Sequence, residues 1–85
     1  MARRQGADID RTAHRRLFER GMRCAIGAAA ADRVSAHKWF NLAAMHGNKQ
    51  AGLLRVEIAA EMSAAEIAAA QRAARDWLTA RGPAR

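Results

Sequence analysis

Three histidines and one cysteine are the side chains with the best metal-binding or nucleophilic chemistry in this chain. His14, His37, His46 and Cys24 show neither the i, i+4 histidine pair nor the Cys-x-x-Cys spacing that is typical of zinc sites. Cys24 is the single cysteine and lies among apolar neighbours, which favours a buried, unreactive thiol. The sequence therefore predicts no metal site and no cofactor.

The acidic side chains do not form an obvious catalytic pair. Glu57 and Glu61 are one turn apart on a predicted helix, and like charges at this spacing are more typical of a solvated face than of an acid/base pair. No combination of nucleophile and base is visible, and no glycine-rich phosphate loop is present. We therefore expect no catalytic residues and no enzyme activity.

Basic residues dominate the charge of the chain. Fifteen lysines and arginines oppose eight acidic residues, for a formal net charge of +7. Arg16, Arg20 and Arg23 follow the i, i+4, i+7 spacing and form a stripe on a helix. Such a stripe attracts nucleic acid, an anionic membrane surface or an acidic protein. The alternative is a solvated helix face, because Glu19 can pair with Arg23 and no aromatic residue interleaves with the stripe.

The composition predicts an all-α fold. Alanine and other strong helix formers dominate, tyrosine is absent and Pro83 is the single proline. With 85 residues the chain has room for one domain with a small core. No apolar run is long enough to cross a bilayer, and no apolar segment of a secretory signal follows the first basic residues. We therefore expect a cytoplasmic protein.

Capping signals divide the chain into about four antiparallel helices. The first is expected from Asp10 or Thr12 to about Ile26, and the second from a cap at Asp32 to about His46. Gly47-Asn48 predicts a tight turn into the third helix, and the capping box Ser63-Ala64-Ala65-Glu66 predicts the start of the fourth. Residues 1–9 are expected to be disordered or extended, 10–80 to form one helical domain, and 81–85 to fray.

Helical spacing of the apolar residues predicts the core and leaves other side chains for contacts. The expected core comprises Leu17, Phe18, Gly21, Ala25, Ala36, Trp39, Phe40, Ala43, Leu54, Ile58, Ile67 and Ala74. The candidate partner-binding residues are Arg16, Arg20, Arg23, His37, Lys38, Asn41, Met45, His46 and Trp77. His37, Lys38, Asn41 and His46 have the alternative of simply facing solvent, and Trp77 that of belonging to the core.

A motif in the middle of the chain resembles the Sel1-like repeat, a relative of the tetratricopeptide repeat. The matching positions are Leu17, Gly21, Ala25, Gly27, Asp32, Ala36, Lys38, Trp39, Phe40, Ala43, Ala44, Gly47, Asn48 and Ala51. Residues 57–78 are similar to the closing helices of some bacterial members. Cys24 departs from the pattern, which usually has an aromatic residue there, and the 28–31 connector is one residue short and lacks the usual glycine, valine and proline. The resemblance implies one helical hairpin closed by a second helix pair, and a scaffold for protein–protein contacts.

These observations predict a small non-catalytic adaptor or accessory subunit that docks on a larger assembly through helix faces. The basic first helix favours a partner with an acidic surface, and its charge would act mainly on the association rate. Two alternatives remain open. One is a nucleic-acid-associated basic protein that uses the first helix, and the other is a self-associating structural module.

Overall fold

A computed structural model describes the backbone of residues 2–27 and 29–81 and the side chains of residues 14–27 and 29–80. The chain forms four helices: α1 (Ala2–Ile26), α2 (Ala30–Met45), α3 (Lys49–Ala59) and α4 (Ala64–Arg81). The described backbone contains no strand. The predicted all-α fold of about four helices is therefore confirmed.

Helix α1 is longer than its capping residues suggest. It begins at Ala2, so the backbone of residues 2–9 is helical where a disordered or extended segment was predicted, and Asp10 and Thr12 lie inside the helix. The residues at 2–5 are alanine, arginine and glutamine, which all favour helix, and no proline lies between them and Asp10 to break it. At the other end α4 includes Arg81, while residues 82–85 of the expected frayed tail lie outside the described part of the chain.

The turn between α2 and α3 has the predicted geometry. Gly47 has φ = 104°, in the left-handed region that glycine adopts without a Cβ clash. The side-chain oxygen of Asn48 accepts a hydrogen bond from the Ala51 N–H at 2.9 Å and so caps α3. The capping box of α4 is also confirmed, because Ser63 N–H donates to Glu66 Oε1 at 2.9 Å and Glu66 N–H donates to Ser63 Oγ at 3.1 Å.

The predicted cap of α2 is wrong. Ala29 occupies the N-cap position without a side-chain hydrogen bond, and Asp32 lies in the first turn. The alanines before Asp32 have such high helix propensity that the helix starts ahead of it. The Asp32 carboxylate instead lies against Gly27, in the space that a Cβ would need there, and its charge is favourable near the positive end of the helix.

Helix α2 forms the centre of the fold. It packs against α1, α3 and α4, whereas the outer three contact one another little among the described residues. The buried cluster comprises Leu17, Ala36, Phe40, Leu42, Ala43, Ala51 and Ala74, and α2 supplies four of its members. More than one face of α2 is therefore covered.

Most of the predicted core lies inside the molecule. Buried residues are Leu17, Gly21, Ala36, Phe40, Ala43 and Ala74, and half-buried residues are Phe18, Trp39, Leu54, Ile58 and Ile67. Ala25 is exposed, which corrects its assignment to the core. It lies at an opening between α1 and α3, where no other helix covers it. None of the described helices combines the length and the apolar character needed to cross a membrane.

Candidate functional site

An open cleft of about 370 Å³ lies over α2, between the end of α1 and the face of α3. Its lining residues are Met22, Ala25, Gly27, Arg33, Phe40, Leu54, Glu57, Ile58 and Glu61. The cleft exists because α1 and α3 both pack on α2 but hardly on each other. Its lining is about equally polar and apolar, because charged side chains share it with aliphatic and aromatic ones. An apolar surface combined with a few charged groups is typical of a binding site.

The floor of the cleft depends on a close contact between α1 and α2. Phe40 is 1% exposed, and a Cβ on Gly21 would lie 2.6 Å from two ring carbons of Phe40. Phe18 adds a second ring, tilted by 49° at a centroid distance of 6.0 Å from Phe40. Gly21 therefore allows the Phe40 ring to lie directly on the α1 backbone, which a side chain there would prevent.

The α1 side of the cleft continues onto the surface as an apolar edge. Met22 is 43% exposed, and Ile26, one turn further along α1, is 85% exposed. Such exposure of a large aliphatic side chain beside a cleft is a feature of interaction surfaces. Ile26 was not among the predicted partner-binding residues, although its position four residues after Met22 could have indicated it.

The α3 side of the cleft carries negative charge. Glu57 and Glu61 line the opening and are both exposed. Arg33 also lines the cleft and already has a partner within the chain. The glutamates were predicted to form a solvated face, and their exposure agrees with that interpretation. Only the tertiary structure shows that the two glutamates lie at the lip of the cleft.

Two further patches of apolar surface lie outside the cleft. Leu53 and Val56 are exposed on α3, and Met45 is exposed at the end of α2. Met45 was predicted as a contact residue, and its side chain is accessible for that role. Leu53 and Val56 were not among the predicted partner-binding residues.

A group of cations surrounds one indole on the other edge of α1. The Arg20 guanidinium lies 4.8 Å and the Lys38 ammonium 4.2 Å from the centroid of the Trp39 ring. Trp77 packs against the same ring edge-on, with centroids 5.9 Å apart. Trp77 is half-buried against the core, which agrees with the core alternative for this residue.

The arginine stripe is accessible along its length. Arg16, Arg20 and Arg23 are all exposed, as predicted for a contact surface or a solvated face. We call these three residues together with Lys38 the basic face. No aromatic residue interleaves with the stripe in the sequence, but α2 brings Trp39 beneath Arg20 in the fold. No sequence periodicity within the first helix could have shown this.

His37 is not on the surface, which corrects both its solvent-facing and its partner-binding interpretation. It is 3% exposed, and its Nδ1 is buried without a hydrogen-bond partner in the described part of the chain. Burial, and then the positive charge of Arg55, lower the pKa of His37 by disfavouring the protonated ring. Arg55 of α3 acts on His37 and hydrogen-bonds Asn41 one turn further along α2, so α3 lies on this side of α2.

Two other predicted contact residues are tied into the fold. The Asn41 side-chain oxygen accepts a hydrogen bond from Arg55 at 2.7 Å, which links α2 to α3. His46 is exposed, but its Nδ1 donates to the Leu42 carbonyl at 2.8 Å. This bond provides a partner for a carbonyl group in the last turn of α2. Both side chains therefore have structural roles at their own positions.

The remaining candidate groups for chemistry are dispersed. Cys24 is half-buried and is a free thiol packed against the core. His14 accepts a weak hydrogen bond from the Asn48 amide at 3.4 Å, between α1 and the start of α3. No three metal-ligating side chains come together among the described residues.

Comparisons with known proteins supply no relative for this chain. Neither the models of known protein families, nor the curated proteins, nor the solved structures contain a significant match. The function is therefore argued from the surfaces described above.

Proposed function

We propose that the protein is a small non-catalytic adaptor or accessory subunit that binds the acidic surface of another protein through its basic face. The observation that carries this proposal is the convergence of Arg20 and Lys38 on Trp39. Stacking on the indole holds two long cationic side chains in place at the surface, so less conformational entropy is lost when a carboxylate binds them. Arg16 and Arg23 extend the same charge along α1.

The resemblance to a Sel1-like repeat supports the same function. We propose that residues 17–51 are one such repeat, and that α4 closes it. Gly21 against Phe40, the left-handed Gly47 and the Asn48 cap are consistent with the hairpin that the resemblance implies. We also propose that the protein acts in the cytoplasm of a bacterial cell, where such repeats serve as scaffolds for protein contacts.

Nucleic-acid binding is the second candidate, and the same cluster favours it, since it places a cation next to an aromatic ring. We place it second because Trp39 is half-buried and already contacts Arg20, Lys38 and Trp77. The ring is therefore engaged within the chain, whereas a stacking platform must offer its face to a base.

Charge reversal on two different helices tests the proposal. The tagged chain is expressed in its native cells as wild type, as Arg16→Glu/Arg20→Glu, and as the control Arg72→Glu/Arg75→Glu. Arg72 and Arg75 are exposed on α4, so the control changes the net charge by the same amount. We expect wild type and control to retain the same protein at low salt after nuclease treatment, and the Arg16/Arg20 variant to lose it.

The alternatives give different results in the same experiment. Retention that disappears on nuclease treatment supports the nucleic-acid function instead. Equal loss of the partner in both double variants shows that only the total charge matters and contradicts a specific basic face. Absence of any retained protein from the wild type also contradicts the proposal.

A further inference from the structure

The chain exposes more large apolar surface than its small core leads one to expect. Among the side chains that the structure describes, Phe40 and Leu42 are the only large ones with less than 2% exposure. Met22, Ile26, Met45, Leu53 and Val56 are exposed. Chains of this size are often stabilised by oligomerisation because a single small core supplies little stability. The question is which surface has the shape and charge to pair with a second copy.

The cleft and the apolar edge beside it are complementary in shape. Ile26 projects at the end of α1, and the opening that Met22 lines begins one turn before it. A projecting side chain next to a hole allows two copies related by a two-fold axis to fill each other's hole. Such a contact closes on itself and produces a dimer rather than a fibre.

The charges around the cleft are complementary in the same way. Asp32 lies against Gly27 and Glu66 is used in the capping box, whereas Glu57 and Glu61 are exposed at the lip. Arg23 is exposed and precedes Ile26 by three residues, so the two share a face of α1. A second copy therefore presents an aliphatic side chain and a cation together. The cleft presents the Phe40 ring with two glutamates at its lip, while its lining arginine, Arg33, already has a partner within the chain.

We propose that two copies of this chain form a two-fold dimer through the cleft. Ile26 of each copy occupies the cleft of the other, above Phe40. Arg23 of each copy faces Glu57 and Glu61 of the other copy. The pairing uses the α3 edge of α1 and leaves Arg16, Arg20 and Lys38 of the basic face available to an acidic partner.

Sedimentation velocity of the purified chain tests the dimer. We expect the wild type to pass from monomer to dimer between about 1 and 100 µM, the range expected for a small interface. Ile26→Glu weakens dimerisation at least about tenfold, since it places an unpaired charge in the apolar centre. Met45→Glu is the control, because it adds the same charge to an exposed apolar position outside the cleft, 59% exposed against 85% for Ile26, and it leaves the dimer unchanged.

Charge reversal tests the orientation. Arg23→Glu and Glu57→Arg/Glu61→Arg each weaken the dimer by placing like charges together, and the chain that carries all three substitutions recovers the wild-type constant. Circular dichroism confirms that each variant keeps its helix content. A wild type that stays monomeric up to about 100 µM, a Met45→Glu variant as weak as Ile26→Glu, or a triple variant without recovery overturns the proposal. The proposed acidic-partner function stands or falls separately, because its test changes Arg16 and Arg20.

Discussion

Different interactions hold the two edges of α1 against the rest of the protein. On the cleft edge, Gly21 and Met22 lie beside the buried Phe40 ring, and stability comes from close apolar packing. On the opposite edge, Arg20 lies on the half-buried Trp39 in contact with solvent, and stability comes from a cation–π contact. Packing in a small core is sensitive to one added carbon, whereas exposed charges contribute little to folding. The first edge therefore determines the fold, and the second is free to serve binding.

The largest change in stability is expected from a glycine substitution on the cleft edge. Gly21→Ala places a Cβ 2.6 Å from the Phe40 ring, and the overpacking outweighs the gain in helix propensity for a net loss of about 1–2 kcal/mol. Gly52→Ala is the matched control, since its Cβ would meet only the Ala44 Cβ at 3.8 Å. We expect this variant to gain about 0.5–1 kcal/mol. Urea unfolding measures both, and a Gly21→Ala protein as stable as the wild type contradicts the described contact.

The dependence of stability on pH tests whether His37 is buried on the side of α2 that faces α3. The pKa of His37 is lowered in the fold by burial and then by Arg55, so the unfolded chain binds the proton more readily. The contribution of His37 is therefore fully present above about pH 6.5, the ordinary histidine value, and is lost as the pH falls from there toward the lowered pKa. His37→Gln removes this dependence.

Urea unfolding of the wild type and of His37→Gln at a series of pH values measures the difference. His14 and His46 are present in both proteins, so the comparison isolates the effect of position 37. Parallel pH profiles for the two proteins contradict the buried position of His37.

The smallest loss of stability is expected on the edge of α1 that carries Arg20. Arg20→Gln removes the cation over Trp39 and costs about 0.5–1 kcal/mol, the range of an exposed cation–π contact. Arg16→Gln is the control, since it removes an exposed arginine of the same stripe for which no ring contact is observed, and we expect less than about 0.5 kcal/mol. The two thermal unfolding curves are compared directly. If Arg20→Gln lowers the free energy of unfolding more than Gly21→Ala does, the roles assigned to the two edges are reversed.

Local signals in the sequence predicted the turns that depend on neighbouring residues. The Gly47-Asn48 turn and the Ser63–Glu66 capping box form through hydrogen bonds that span three residues, so their geometry is present in the residue types themselves. The prediction of a cap at Asp32 was wrong for an equally local reason. The alanines before Asp32 favour helix more strongly than the aspartate favours a helix start at its own position.

The candidate site was predicted only in part. The arginine stripe, Lys38 and Met45 were identified by helical spacing, and they lie on the surface. The cleft was not predicted, because its two walls come from helices separated by more than twenty residues. His37 was placed outside because the position of α3 around α2 follows from packing and not from the period of the second helix.

By itself the sequence determined the helical class, the number of helices, the Gly47 turn and the arginine stripe of the first helix, since these follow from propensity, capping and spacing along one chain. The tertiary structure alone decided that Arg20 meets Trp39, that Glu57 lies across an opening from Met22, and that His37 is enclosed. These contacts depend on how three helices are arranged around α2. That arrangement is set by the summed fit of many side chains, which no single segment contains.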